Sequence, residues 1–374
     1  MIDVLVVGAG FGRDFVPLYA LHPEVHRVGL VEPDARRRET VSAELGVDAE
    51  HSSLDEALAG GLWDAVHLLS PVRFHVEQTL QVLASGRSCA SAVPMATTLD
   101  DIARVIDAAS ASAGRYMMME TALYQREYLH ALHLRETGAL GRLTYLSGAH
   151  MQDLDGFAPY WMGYAPMEYA THIVAPLLGI AGVTARCVRC LGSGALQDSH
   201  RGANGNLFPL ESALFTLSGR EPLVAQVTVS FFENARSYTE GFNVYGERGA
   251  LEWPSIEGGP VVMHAAGPSD GAAHGRPITR AEISPPDRYG TMPEALRPHT
   301  RRHLYRPPDG RPAVQLHAWH GGSHPHLVHE FVSAVAHGRP PSIDSRRAAT
   351  ITAPGVVAHL SALRGGAELS IPQY

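Results

Sequence analysis

The stretch MIDVLVVGAGFGRDFVPLYALHPEVHRVGLVEPD, residues 1–34, decides how the rest of the chain is read. Ile2 to Val7 is a short, β-branched apolar run that stops at Gly8-Ala9-Gly10, the pattern of a strand buried on both faces. Phe15, Leu18, Tyr19 and Leu21 then recur at helical spacing up to Pro23, and a second apolar run, Val28 to Val31, ends at Glu32. Strand, glycine turn, helix, strand and acid are the parts of a βαβ unit that binds a dinucleotide. The glycines let the main chain approach a pyrophosphate, the helix N-terminus offers N–H groups, and the acid meets the ribose hydroxyls. Gly8, Gly10, Phe11, Gly12 and Arg13 form the expected phosphate turn, and Glu32, 22 residues after Gly10, is the expected ribose ligand. The motif is imperfect, because Arg13 stands where G-x-G-x-x-G has its third glycine and Gly12 comes one place early. An acid at position 32 accepts from a free 2′-OH and repels a 2′-phosphate, which favours NAD over NADP. Arg36, Arg37 and Arg38 follow closely enough to keep NADP open.

Working outward, 374 residues suit two domains, and 45% hydrophobic with 18% charged residues is ordinary for a globular chain with a sizeable core. A net charge of −8 with scattered arginines argues against a nucleic-acid surface and for an enzyme with a small-molecule substrate. The opening apolar run is too short for a membrane span and has no basic leader or small-residue cleavage site, so a cytoplasmic location is expected. Cys187-Val188-Arg189-Cys190 has C-x-x-C spacing, but in an alternating run residues three apart face opposite ways, which disfavours a redox or metal pair.

Alternation of strand-like and helical patterns continues to about residue 120. Ala65 to Leu69 is a strand ending in Ser70-Pro71, His75 opens a helix to Ala84, Ser88 to Val93 is a strand stopped by Pro94, and Tyr116 to Met119 is another. That is the doubly wound parallel pattern, an N-terminal Rossmann domain over residues 1–122. From 123 to 374 the rhythm changes to several strand-like runs between turn signals, an α/β domain built on a large, mostly antiparallel open sheet. Glu168 to Leu178 reads as one short helix. The open face of such a sheet commonly pairs with another subunit, so a homo-oligomer, dimer or tetramer, is expected. Residues 265–316, rich in Pro, Gly, Arg and His with little periodicity, read as a lid, an inter-subunit arm or a surface excursion.

Several motifs together resemble the Gfo/Idh/MocA oxidoreductases. They are the nucleotide-binding start, Ser70-Pro71 with His75, Val93-Pro94-Met95-Ala96, Gly138-Ala139-Leu140-Gly141 before a strand, and Glu168-x-x-x-His172. The resemblance implies that Ser70, Pro71, His75, Val93 and Pro94 lie at the cofactor, and that a second domain presents a sugar to the nicotinamide. The chain departs from the family's Glu-Lys-Pro motif: Ala92-Val93-Pro94 lacks the lysine. A branch of the same superfamily, the NAD-dependent glycosidases of glycoside hydrolase family 109, is similar through Met117-Met118-Met119-Glu120, Gly148-Ala149-His150, Tyr169-Ala170-Thr171-His172, Arg236-Ser237-Tyr238 and His320-Gly321-Gly322. It implies that Glu120, His150, Tyr169, His172 and Tyr238 line the sugar and nicotinamide site, with His150 standing where that family usually has tyrosine.

Hydride leaves a sugar carbon only if the hydroxyl proton leaves too, and histidine is a base near neutrality without help. His172 is therefore the expected base, with His150 and Tyr169 beside it. Glu168, four residues before His172 on the expected helix, would hold its tautomer. Tyr160 and Trp161 could stack a pyranose ring or pack under a loop, and Tyr238 and His320 are further substrate candidates. The four histidines from His320 to His329 match no defined zinc spacing, so no metal is expected. Two functions are compatible with these residues. The first is NAD-dependent transfer of hydride to or from a sugar or sugar-derivative carbon. The second is redox-assisted glycoside hydrolysis, with oxidation at C3, elimination, water addition and re-reduction.

Overall fold

The computed structural model describes residues 1–254, 256, 258–269, 271 and 275–374. By internal contacts the chain divides into two units, residues 1–124 with 289–349, and residues 125–288 with 350–374. A single division between 122 and 123 therefore places residues 289–349 with the wrong partner. The reason is apolar: helix His324–Ala336 buries Leu327, Val328, Phe331 and Val332 in the first unit. The Met118 amide also donates to the Ile343 carbonyl at 3.0 Å.

The first unit holds a six-stranded parallel sheet of β1 (Ile2–Val7), β2 (Val25–Val31), β3 (Ala49–His51), β4 (Ala65–Leu68), β5 (Ser88–Ser91) and β6 (Tyr116–Met118), in the order β3-β2-β1-β4-β5-β6. Strand β1 is central. Val4 to Val7 pair with Val28 to Val31 on one side and Ala65 to Leu68 on the other, and burial on both faces explains the unbroken apolar run. Short polar caps start the connecting helices. Asp34 accepts from the Arg37 amide, Ser53 from Glu56 and Thr98 from Asp101. The edge strand β3 has no apolar run and half-buried ends, so it carries no strand signature in the sequence.

The second unit is built on a nine-stranded sheet. It comprises β7 (Leu143–Met151), β8 (Ala185–Ser193), β9 (Leu210–Leu217), β10 (Val224–Ser230), β11 (Thr239–Gly246), β12 (Gly249–Glu252), β13 (Val261–Ala266) and β14 (Ile278–Ile283). The hairpin of β15 (His303–Tyr305) and β16 (Val314–Leu316) belongs to the first unit, and β17 (Leu369–Ser370) closes one edge of the large sheet. The order is β14-β13-β12-β11-β7-β10-β9-β8-β17, with β7 and β10 parallel and every other pair antiparallel. Helix Thr171–Ala181, apolar on nearly every side, covers one face so closely that a Cβ on Gly148 would stand 2.5 Å from Ile173. On β7, β10 and β11 the opposite face is polar, with Ser147, Thr228 and Asn243 around a shallow hollow that Arg236 and Trp253 also line.

Cys187 and Cys190 stand on β8 as free thiols, Cys190 buried and Cys187 half-buried. Within residues 265–316, β14, the turn Arg297–Thr300 and the β15–β16 hairpin replace the expected irregular excursion, while residues 270 and 272–274 lie outside the described ones. Among the described residues no helix is long and apolar enough to cross a membrane.

Candidate functional site

In the first unit the glycine turn follows directly from β1. Gly8 takes φ +98°, and a Cβ there would stand 2.8 Å from the Leu69 carbonyl oxygen, so no other residue fits. Gly10 is exposed with open space where its Cβ would be, leaving the main chain free for close approach by a ligand. Gly12 performs the helix-to-strand packing, since a Cβ there would meet Val6 at 2.8 Å, and this accounts for the early third glycine. Arg13 needs no such closeness and pairs with Glu44 at 2.7 Å. Phe11 is exposed.

Glu32 is buried at the end of β2, where its carboxylate accepts from the Ala9 and Asp34 amides, both at 3.0 Å. Arg37 lies 3.6 Å from the same carboxylate. An open glycine turn and an acid held beside it are what a dinucleotide requires, so these residues fit NAD.

His75 braces the neighbouring loops. It is buried, and its two ring nitrogens lie 2.9 Å from the Ser70 and Pro94 carbonyls, tying the loops that follow β4 and β5. Burial holds its pKa below the ordinary value. Val93 and Pro94 are buried and Pro71 half-buried in the same two loops. Glu120, buried just past β6, accepts from the Ala122 amide. His320 also belongs to this unit, with φ +50° and its ring 6.3 Å from that of Phe11.

In the second unit, strand register assembles a row that no local motif announces. Glu211 on β9 pairs with Val229 on β10, Val229 with His150 on β7, and His150 with Glu240 on β11. Directly paired residues point to one side of a sheet, and here it is the side under helix Thr171–Ala181. His150 is 1% and His172 3% exposed, and their rings are 5.7 Å apart. Tyr169 lies 5.2 Å from the His172 ring, and Tyr238 5.6 Å from that of His150. Trp161 stands edge-on to Tyr169 at 5.4 Å, and its ring lies 5.5 Å from that of Tyr160, so the expected stacking residues adjoin the same cluster. His150, Tyr160, Trp161, Tyr169, His172 and Tyr238 are thus brought together within the second unit.

Glu168 is displaced from its expected role. Pro166–Tyr169 is a 3-10 turn, closed by bonds such as Ala170 N–H to Met167 C=O at 3.1 Å, and the α-helix begins only at Thr171. Three residues per turn send positions four apart to different faces, so Glu168 and His172 do not share one. The carboxylate beside His172 is Glu240, with Oε1 3.8 Å from Nδ1. Gln125 donates to Glu240 at 2.8 Å and the Tyr238 hydroxyl donates to its other oxygen. Burial pushes the Glu168 carboxyl up to about 7, against the pull of His359 and with the help of the Glu211 charge. Glu240 and Glu211 escaped the sequence reading, although a signal was there. Each shares the core-facing parity of its strand, with Phe242 and Val244 in β11 and with Ala213, Phe215 and Leu217 in β9. An acid at such a position needs a buried partner.

Residues 2–120 match the family model described as the GFO_IDH_MocA oxidoreductase family, NAD-binding Rossmann fold. Glycosyl hydrolase family 109 protein 1 of Bacteroides fragilis is 25% identical over 143 residues, 38% of this chain and 29% of that protein. A family 109 protein of Shewanella baltica is 31% identical over 126 residues, 30% of this chain and 28% of that protein. The aligned stretches thus span under a third of those relatives' own length.

Solved structures extend the likeness in fold to the whole chain. Levoglucosan dehydrogenase in complex with NADH and levoglucosan superposes with a TM-score of 0.77 at 16% identity, covering 100% of both chains. The myo-inositol 2-dehydrogenase of Lactobacillus plantarum does so at 0.72 and 15%, covering 99% of each. The likeness in sequence to the oxidoreductase family with an NAD-binding Rossmann fold thus lies in residues 2–120, while the likeness in fold reaches the whole chain.

Proposed function

We propose that the protein is an NAD-dependent oxidoreductase that moves hydride to or from a carbon of a sugar or sugar derivative. The observation that carries this reading is the His150–Tyr169–His172–Tyr238 cluster with Glu240 beneath it, an acid–base group beside aromatic rings in a chain that also has a dinucleotide turn. The bound dinucleotide supplies the hydride acceptor or donor. His172 takes the substrate hydroxyl proton as the carbon is oxidised and returns it in reverse. Glu240, oriented by Gln125 and Tyr238, stabilises the imidazolium that forms. Tyr169 and His150 orient the hydroxyl, while Tyr160 and Trp161 offer apolar faces to the ring. Ser70, Pro71, Val93, Pro94 and Glu120 shape the cofactor loops, and His320 belongs to the substrate contacts. The protein works in the cytoplasm as a homo-oligomer, dimer or tetramer, with the polar open face of the large sheet as its interface.

A second reading is favoured by the family 109 relatives: net glycoside hydrolysis, in which a C3 ketone acidifies the C2 hydrogen. His150 or Tyr169 removes that hydrogen, the C1 substituent leaves, water adds and the ketone is reduced again. Incubation with free sugars and aryl glycosides in heavy water separates the two. Stoichiometric NADH is the expected outcome for the dehydrogenase. Aglycone release without net NADH, with deuterium at C2, identifies the hydrolase, and failure to bind either oxidation state of the dinucleotide overturns both.

A further inference from the structure

A buried charged cluster lies on the sheet row at the end opposite Glu240, and the reaction does not use it. Glu211 is 0% exposed on β9, and each of its carboxylate oxygens has a partner. One accepts from the main-chain amide of Met167 at 2.9 Å, and the other pairs with Nδ1 of His359 at 2.7 Å. Met167 is the second residue of the turn Pro166–Tyr169, so that bond grips the piece of chain that leads into Tyr169 and His172. The other side of the same peptide is hemmed in as well. The Met167 carbonyl accepts from Ala170, and a Cβ on Gly355, one helical turn before His359, would collide with it. A 3-10 turn has poor hydrogen-bond geometry of its own, so its position depends on such outside holds.

We propose that Glu211 is a positioning residue for the acid–base cluster: it holds the turn Pro166–Tyr169, which leads into His172, by the Met167 amide, and the His359 imidazole bonded to it keeps it in place. The proposal rests on the reading of Tyr169 and His172 given above. Supporting it, burial works against a charged His359, yet the bond and charge of Glu211, together with the charge of Glu168, outweigh burial and hold its pKa above the ordinary value. Glu168 faces the same group and titrates near 7, because burial and the Glu211 charge raise it while His359 lowers it. Tyr164 and Cys190, the other titratable groups facing these acids, are pushed up by burial and stay neutral. Glu168 gains charge as pH rises through about 7, and at higher pH His359 loses its own, so two carboxylates then face each other without a counter-charge. The hold on the turn then weakens on the alkaline side.

The test uses the full-length protein and two readouts. In Glu211→Ala, kcat is expected to fall about tenfold or more with dinucleotide binding unchanged. Glu211→Gln, which still offers Met167 an acceptor, is expected to recover most of that loss and to remove the decline of kcat above neutrality. Should Glu211→Ala not fold, Glu211→Gln and His359→Gln decide the matter. Without any substrate, the 19F resonance of fluorotryptophan at Trp161, which packs on Tyr169, is expected to shift with pH in the wild type and to lose that shift in Glu211→Gln. The His359 titration, followed by NMR, is expected to move down in the same variant. These readings stand even if no sugar is turned over, so a failure of the proposed activity is distinguishable from a failure of this inference. A Trp161 signal with the same pH dependence in wild type and in Glu211→Gln would overturn it, with or without turnover.

Discussion

The glycine turn of the first unit and the acid–base row of the second reach their geometry by opposite routes. In the turn, everything needed lies within about two dozen residues. Gly8, Gly10 and Gly12 alternate along one short helical turn, and Glu32, 23 residues after Ala9, returns to bond the Ala9 amide. In the row, Glu211, His150 and Glu240 come from separate strands, and Glu211 meets His359 across 148 residues of chain. Local chemistry specifies the first region through steric limits on the backbone. The second depends on strand register, where a slip of one residue would turn every member to the other face.

This contrast can be broken most directly at His172. If the row carries acid–base chemistry and the turn carries binding, His172→Ala lowers kcat by about 10²–10⁴-fold and leaves dinucleotide affinity unchanged. Steady-state kinetics with fluorescence titration by NADH checks both halves, and an equal loss in affinity would show that the regions are not separable in function. The reciprocal change is Gly8→Ala. Its Cβ would stand 2.8 Å from the Leu69 carbonyl at a left-handed φ, so a destabilisation of about 1–3 kcal/mol is expected, together with weakened dinucleotide binding. Thermal melts with and without NAD measure both effects. The finest distinction is Glu240→Gln, which keeps the shape of the row and removes one charge. An opposite charge at this range favours an imidazolium, so kcat is expected to fall about tenfold with melting temperature little changed. A wild-type rate in this variant would remove Glu240 from the mechanism.

Much of the first unit was legible because its strands are buried on both faces. A continuous apolar run then has one reading, and β1, β2, β4, β5 and β6 all fall where the runs are. The short edge strand β3, half-buried and polar, has no such signature. Of the candidate site, His150, Tyr169, His172 and Tyr238 were found through motif resemblance and do lie together. The carboxylate beside His172 is Glu240 rather than Glu168, because four-residue spacing holds for an α-helix and the chain at Glu168 is a 3-10 turn. Residues 289–349 joined the N-terminal part against expectation, since burial of Leu327 and Phe331 outweighs their distance along the chain.

By itself the sequence determined the phosphate turn, the acid that follows it and the alternation of strand and helix. Each of these is an interaction between near neighbours, written in backbone sterics and side-chain periodicity. Tertiary structure alone decided which carboxylate accompanies His172, which one grips the turn before it, and with which unit residues 289–349 pack. Those outcomes turn on strand register and on where buried charge finds a partner, both of which are settled by residues far apart in the chain.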